Sequence, residues 1–213
     1  MITTHWAVRG SLVFAVALAV SACSGMFEVE APGRIADENL NDPDAAPGIV
    51  TGMSYDLAGA MNAGSDILAL ASGELYHGGS YNWADVPRGV ITDEDADVVW
   101  GSMMQARWVT EHGIERLQSS LKPEDFPKSD LVARAYLLGG FANRLIGENV
   151  CETVIDGGAP EPNTVEFDRG IEKFDKAIEI GMAAGASDVV TAAYAGRASL
   201  KAWKGDWAGA VED

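Results

Sequence analysis

The chain has 213 residues and carries fifteen Lys and Arg against thirty-two Asp and Glu, which gives a formal net charge of −17. A charge this negative repels nucleic acid and anionic membrane surfaces, so the composition excludes both as electrostatic partners. The length is enough for one medium-sized domain or for part of a larger one.

The first 22 residues have the features of an export signal. Arg9 precedes an apolar run from Leu12 to Val20, which is about half the roughly 20 residues needed to span a bilayer. The segment closes on Val20-Ser21-Ala22-Cys23, which resembles the lipobox of bacterial lipoproteins. In such proteins the peptide before the cysteine is removed and the cysteine is acylated. We therefore expect lipid attachment at Cys23; the alternative is an ordinary secretory cleavage site beside an incidental cysteine.

Lipidation of Cys23 has consequences for the rest of the chain. Removal of Arg9 with the signal makes the net charge of the mature protein −18, so several acyl chains rather than charge attraction must hold it at the membrane. Ser24 follows the cysteine instead of the aspartate that commonly retains lipoproteins in the inner membrane, which favours the outer membrane. Cys151 is then the sole remaining cysteine, so no intramolecular disulfide forms. We expect its side chain to be small, apolar and buried, since a nucleophile would need a nearby base.

Helical periodicity begins at Gly48, after a segment rich in Pro, Asp and Asn, residues 23–47, that is typical of a lipidated tether leading into a domain. Residues 48–213 predict one helical domain. The expected helices run from Gly48 to Gly64, from a cap at Asp97 to just before Pro123, from Ser129 or Asp130 to Gly147, from an Asn163–Glu166 capping box onward, from Val189 to Lys204, and from Asp206 onward. Because no segment sustains period-two alternation, the predicted class is all-α.

The side chains of these helices divide into inward and outward sets. An apolar stripe of four residues shares one helical face and is expected to be buried: Phe167, Ile171, Phe174 and Ile178. Three tryptophans also fall on apolar faces and are expected in the core: Trp100, Trp108 and Trp203. Arg134 and Arg197 lie within helices, where we expect them to pair with acidic side chains rather than to bind a ligand.

Residues 76–92 interrupt the helical pattern with an aperiodic loop that is rich in glycine and aromatic residues. Sugar rings expose flat apolar C–H faces, so sugar-binding proteins offer aromatic surfaces beside amide and hydroxyl groups. The loop supplies this chemistry through four residues that we predict to bind ligand: Tyr76, Tyr81, Asn82 and Trp83. The alternative is that Trp83 packs onto the helices and fastens the loop to them.

The sequence lacks the motifs of the common catalytic and metal-binding sites. His77 and His112 lie in different predicted elements, so a metal site built on them is not expected. Residues 93–95 and Asp97 offer carboxylate oxygens for calcium, but acidic residues also stabilise a helix N-terminus. We therefore expect no enzyme activity, no cofactor and no bound metal, and we interpret these acids as a solvated capping cluster.

Two segments suggest a tetratricopeptide-like repeat. Gly205-Asp206-Trp207 followed by Ala210 matches the turn and second helix of such a repeat. Gly170 is equivalent to Ala210 at a spacing of 40 residues, which exceeds the usual period of about 34. We predict helical repeats of this kind with irregular loop insertions.

Four features along the chain occur together: the lipobox at Cys23, an Asp-rich segment leading to Trp100, the segment Arg134-Ala135-Tyr136, and the segment from Phe167 to Ile178 ahead of Gly196-Arg197-Ala198. Their combination resembles the SusD/RagB family of outer-membrane nutrient-binding lipoproteins. The resemblance implies a lipid-anchored, lid-like partner of a SusC-like TonB-dependent transporter. Such a protein binds a glycan or another nutrient and passes it to the transporter without chemistry.

A second hypothesis is a repeat-containing lipoprotein scaffold for envelope protein assembly, which would use its helical groove to bind peptide partners. The sequence is also expected to be an N-terminal part of a longer protein, because members of the resembled family are considerably longer. Trp207, Ala210 and Val211 support this expectation, since they predict an apolar face of the kind that a terminal polar helix normally covers in a repeat array.

Overall fold

Helices follow one another along most of residues 37–213 in the computed structural model, which describes residues 35–79 and 83–213. The helices of this region are α1 (Ala46–Ser72), α2 (Asp93–Ser120), α3 (Asp130–Asn149), α4 (Thr164–Ala184), α5 (Ser187–Trp203) and α6 (Trp207–Glu212). Short 3-10 turns cover Asp37–Asn41, Pro43–Ala45, Val86–Arg88 and Phe126–Lys128. One small hairpin, β1 (Glu152–Val154) and β2 (Pro160–Pro162), joins α3 to α4. The all-α prediction is confirmed.

Local capping explains where α2 and α3 begin. Thr92 caps α2: its Oγ1 accepts the backbone N–H of Asp95 at 3.2 Å, and the Asp95 carboxylate accepts the Thr92 N–H at 2.9 Å. This capping box starts the helix at Asp93, so the predicted cap at Asp97 is wrong. Ser129, one of the two residues predicted to start the helix, caps α3.

The first helix is longer than its sequence pattern predicts. It continues to Ser72, where Gly73 closes it with a left-handed φ of 78°. Gly64, the predicted end, lies inside α1 instead, and a Cβ at this position would stand 3.1 Å from the methyl carbon of Met103. This glycine therefore allows α1 to pack closely on α2 and does not end the helix.

The hairpin between α3 and α4 is not part of the all-α prediction. Its strands pair antiparallel with Thr153 opposite Glu161. Asp156 and Gly157 take positive φ values of 51° and 76° at the centre of the turn, the pairing that a type I′ turn requires. Strands of three residues are too short to show a period-two pattern, so periodicity had no signal to detect.

Packing between consecutive helices builds the core. Each of α1 to α5 packs against the next helix along the chain, and α3 also contacts both α1 and α5, which makes it the central helix. The predicted stripe on α4 is confirmed, because Phe167, Phe174 and Ile178 are buried and Ile171 packs against them. The Phe174 ring meets that of Phe141 edge to face, with the centroids 5.1 Å apart.

Two of the tryptophans expected in the core lie on the surface. Trp108 is 54% exposed and Trp203 is 59% exposed. On α2 the inward position next to Trp108 belongs to Arg107, which is only 5% exposed, and successive helical residues point about 100° apart. Trp108 stacks on His112 instead, and Trp203 on Phe167, with centroid distances of 4.1 and 6.2 Å.

Cys151 is exposed, so the expectation of a buried side chain is wrong. It lies where the chain turns from α3 into β1, and its carbonyl oxygen accepts the N–H of Asn163 at 3.2 Å. The backbone of Cys151 thus helps to hold the start of α4, while its thiol is exposed to solvent. Among the described residues, no helix is both long and apolar enough to span a bilayer.

Candidate functional site

The residues predicted to bind ligand fall in and around the loop that joins α1 to α2. Tyr76 is 88% exposed, four residues beyond the end of α1. Trp83 is half-buried and packs against the core beneath the loop. Tyr81 and Asn82 lie outside the described residues, as does Cys23. The structure therefore places one aromatic ring in solvent and the other against the helices.

Trp83 fastens the loop to the start of α2. Its backbone N–H donates to the Asp95 carboxylate at 3.3 Å, and its indole Nε1–H donates to the Asp95 carbonyl oxygen at 3.3 Å. The backbone of Trp83 has a φ of 70°, a left-handed conformation that is unfavourable for a bulky residue unless its surroundings hold it. This is the fastening role that the sequence left open for Trp83.

Asp95 links the loop to α2 because it accepts hydrogen bonds from both. Its carboxylate accepts the Thr92 N–H and, at 2.7 Å, the Thr92 hydroxyl, in addition to the Trp83 N–H. These hydrogen bonds, led by the Thr92 N–H, lower the pKa of Asp95. A carboxylate occupied in this way acts as a cap, and no group of three or more metal-ligating side chains occurs among the described residues.

An apolar pocket of about 220 Å³ opens at the same end of the helices. It is formed by the last turns of α1, the first turns of α2 and the end of α3. The aromatic loop starts directly after α1 and ends near Ile91, which itself lines the pocket. The loop and the pocket are therefore neighbours by chain connection.

A wider groove of about 560 Å³ runs between α1 and α3. Tyr55, which is 79% exposed, and Leu137 are among the residues along it. Arg134 also lines the groove, but its guanidinium pairs with Asp130 at 3.0 Å and with Asp188 at 2.9 Å. The prediction that Arg134 pairs with acids is thus confirmed.

Arg197, on α5, follows the same prediction. It pairs with Asp175 and Asp213, and the hydrogen bonds that its guanidinium donates to these carboxylates, above all to Asp213, raise its pKa. Its guanidinium carbon also lies 5.1 Å from the centroid of the Tyr194 ring. Each cationic group is already matched by protein carboxylates, so neither arginine is presented as an open anion site.

A buried polar network links α2, α3, α4 and the hairpin. Glu166 has no exposed surface, and its Oε1 accepts the Thr153 hydroxyl at 2.7 Å. Arg169 donates from Nε to the Asn143 amide oxygen at 3.2 Å and pairs with Glu111. Burial raises the pKa of Glu166, although the Thr153 hydrogen bond and nearby arginines act in the other direction. The network therefore fixes the hairpin against the helices.

Arg107 brings a second buried charge to this network. Its side chain lies 3.8 Å from the Asp156 carboxylate, on the turn of the hairpin. Among the described residues, its Nε and Nη1 have no hydrogen-bond partner, and neither does Oε2 of Glu166. The opposite charges of Arg107 and Glu166 offset part of the free energy required to bury each of them.

Sequence reasoning found one member of this network and assigned it the wrong role. The spacing of Asn163 and Glu166 predicted a capping box, yet the Asn163 amide donates to the Gly147 carbonyl at 2.8 Å and makes no cap. Glu166 turns inward to Thr153 instead. The start of α4 near Asn163 is correct, but no local pattern could reveal that a distant hairpin supplies the partner.

Comparison with protein-family models, with curated proteins and with solved structures finds no match for this chain.

Proposed function

We propose that this protein is a lipid-anchored outer-membrane protein of the SusD/RagB type that binds a nutrient, most simply a glycan, and delivers it to a TonB-dependent transporter. The observation that carries the proposal is the loop after α1. Tyr76 extends into solvent while Trp83 ties the same loop to Asp95. An exposed ring on a fastened loop loses less conformational freedom on binding than one on a free segment.

The helical architecture supports the same proposal. Consecutive helices pack on one another and α3 contacts the helices two positions away, as in arrays of helical hairpins. Gly170 packs on Leu200 across α4 and α5, a close helix approach of the kind expected from tetratricopeptide-like pairs. In such a protein the helices form the frame and the loops carry the ligand contacts.

Glycan binding is tested by replacing Tyr76. We expect Tyr76→Ala to weaken binding of a responsive glycan about tenfold or more, as for an exposed anchor residue. Titration of a glycan panel, followed by tryptophan fluorescence of the mature protein, measures the change. Tyr55→Ala is the matched control, because Tyr55 is similarly exposed on α1 and outside the loop. Equal affinities for the two variants, or no response to any glycan, would count against the site.

The anchor is tested separately at Cys23. We expect radiolabelled palmitate to enter the wild-type protein and not the Cys23→Ala variant, because acylation requires the thiol at this position. Cys151→Ala is the control, since Cys151 is an exposed cysteine within the folded domain and should leave the label in place. Incorporation that persists in Cys23→Ala would refute the lipid anchor.

The α1–α3 groove favours a second candidate function, a scaffold for envelope protein assembly. It has a volume of about 560 Å³ and offers apolar side chains such as Val50 and Leu137, which suit an extended or helical peptide. A scaffold of this kind would lose its peptide partners in Tyr55→Ala and keep them in Tyr76→Ala. The same pair of variants therefore separates the two functions.

A further inference from the structure

The pocket at the end of α1 has a lining that selects for one type of ligand. Ile67, Val99 and Met103 form its buried wall, and the half-buried Trp100 completes it. No side chain that carries a charge is found among the described residues around it. An ionised ligand group would therefore lose its hydration without gaining a partner of opposite charge.

One polar side chain in the lining can orient a bound ligand. Asn149 lines it, and the Asn149 amide nitrogen already donates to the Leu145 carbonyl at 2.7 Å. The Asn149 Oδ1 is left to accept a hydrogen bond, and the second N–H of the amide is left to donate one. The pocket thus matches a ligand that carries one hydroxyl or N–H group on an otherwise apolar body, with Oδ1 as the acceptor for that group.

The size of the pocket restricts the ligand to a single ring system. Its volume is about 220 Å³, whereas an apolar cavity of about 150 Å³ is known to hold benzene. At the mouth, Leu68 and Ile91 are 49% and 52% exposed, so the rim presents apolar surface to solvent. Contact with a ligand would remove this surface from water.

We propose that this pocket binds one uncharged aromatic ring bearing a hydrogen-bond donor, of the phenol or indole class, with the ring against Trp100 and the donor toward Asn149. The pocket shares no described lining residue with Tyr76 or Trp83. The test of glycan binding at Tyr76 and the test of this pocket therefore involve different residues, and either can fail without the other.

Phenol is the probe for this site in the mature protein, with benzene, benzoate and glucose for comparison. We expect phenol to bind with a Kd of roughly 1 mM or tighter. Benzene should bind about fivefold more weakly because it lacks the donor. Benzoate should bind at least about tenfold more weakly because of its charge, and glucose should not compete. Equal affinity for phenol and benzoate, or no phenol binding at about 10 mM, would overturn the proposal.

Substitution at the rim locates the bound ring. Ala96 lines the mouth and is exposed, so Ala96→Trp should block the pocket and abolish phenol binding while the core stays intact. Ala183→Trp, at an exposed position on α4, should bind phenol like the wild type. Unchanged binding to a folded Ala96→Trp would overturn the proposal.

A measurement on the unaltered protein covers the case in which Ala96→Trp does not fold. The Met103 methyl group packs beside Gly64 at the pocket wall. With 13C-methyl-labelled methionine, phenol ring protons should give a nuclear Overhauser effect to Met103 and none to Met182, which is 59% exposed on α4. Absence of the Met103 effect under saturating phenol would overturn the assignment.

Discussion

Gly196→Ala is expected to lower the free energy of unfolding by about 3 kcal/mol, because it overpacks a core that has no room to relax. A Cβ at this position would stand 2.4 Å from Cζ of Phe174. The ring cannot move toward α3, since a Cβ built at Gly140 on that side would already lie 2.5 Å from Cε1 of the same ring. Phe174 is therefore held between two glycines, one on each neighbouring helix.

Chemical denaturation of Gly196→Ala and of a matched control measures this effect. Gly59 also lies in a helix but has no described atom within 4 Å of an added Cβ. Gly59→Ala should thus stabilise the protein by about 0.5–1 kcal/mol through helix propensity. The two substitutions are chemically identical and are expected to differ in sign. If Gly196→Ala proved as stable as Gly59→Ala, the close packing of α4 and α5 around Phe174 would be wrong.

A double variant separates overpacking from other effects of the added methyl group. Phe174→Leu removes ring atoms from the position that the new Cβ requires, so Gly196→Ala should be better tolerated in that background. We expect a favourable coupling of about 1 kcal/mol or more between the two sites. Strict additivity would show that the ring and the glycine do not interact.

Glu166→Ala is expected to lower the free energy of unfolding by about 2–4 kcal/mol, because it removes negative charge from beside the buried Arg107, which then retains the exposed Asp156 carboxylate at 3.8 Å. The substitution also deprives the Thr153 hydroxyl of its acceptor. Glu172→Ala is the control: Glu172 lies on the same helix and is exposed, so its removal should change stability by no more than about 0.5 kcal/mol. Urea titration compares the two. An effect of Glu166→Ala as small as that of Glu172→Ala would contradict the network.

The network also predicts a pH dependence of defined sign. The folded-state pKa of Glu166 is raised above its ordinary value of 4.5, so the folded state binds its proton more tightly than the unfolded state. The resulting stabilisation is fully present below pH 4.5 and is lost as pH rises through the folded-state pKa. Glu166→Gln keeps an acceptor for Thr153 but cannot titrate, so its stability relative to the wild type should improve as pH rises through this range.

Comparison with the Glu166→Gln variant is required because other carboxylates act with the opposite sign. Asp188 and Asp213 have lowered pKa values, mainly through hydrogen bonds from Arg134 and Arg197 respectively. Their contribution is lost as pH falls. It is common to both proteins and cancels in the difference, which isolates Glu166. A difference that does not change between pH 4 and about pH 7 would contradict the raised pKa.

The helices were predictable from the sequence because their signals are local. Ser129 marks the start of α3 and Gly205 marks the end of α5. The spacing of apolar residues on α4 predicts which face of that helix is buried. The errors arise where a residue serves a distant partner. Gly64 resembles a helix end but provides space for Met103. Arg107 occupies the buried position next to Trp108, and its nearest carboxylate, Asp156, comes from the hairpin.

The candidate site was predictable to the same degree. Glycines and aromatic residues in 76–83 predicted an irregular segment, and the described residues 76–79 lie outside helices and strands, with Tyr76 exposed. Which ring faces solvent depends on Asp95, twelve residues after Trp83, and no periodicity encodes that contact. The apolar pocket was not foreseen at all, because its wall combines residues from three helices that meet only in the folded chain.

Asp95 both completes the cap of α2 and binds Trp83, so it couples fraying of the first turn of α2 to detachment of the loop. Fraying of the first turn of α2 releases the carboxylate that holds Trp83, and detachment of Trp83 withdraws two hydrogen bonds from the residue that completes the cap. By thermodynamic linkage, attachment of Trp83 stabilises the first turn of α2, and formation of that turn stabilises the attached loop by the same coupling free energy. A ligand that holds the loop in place would therefore also reduce fraying of the first turn of α2, without contact between the ligand and that turn.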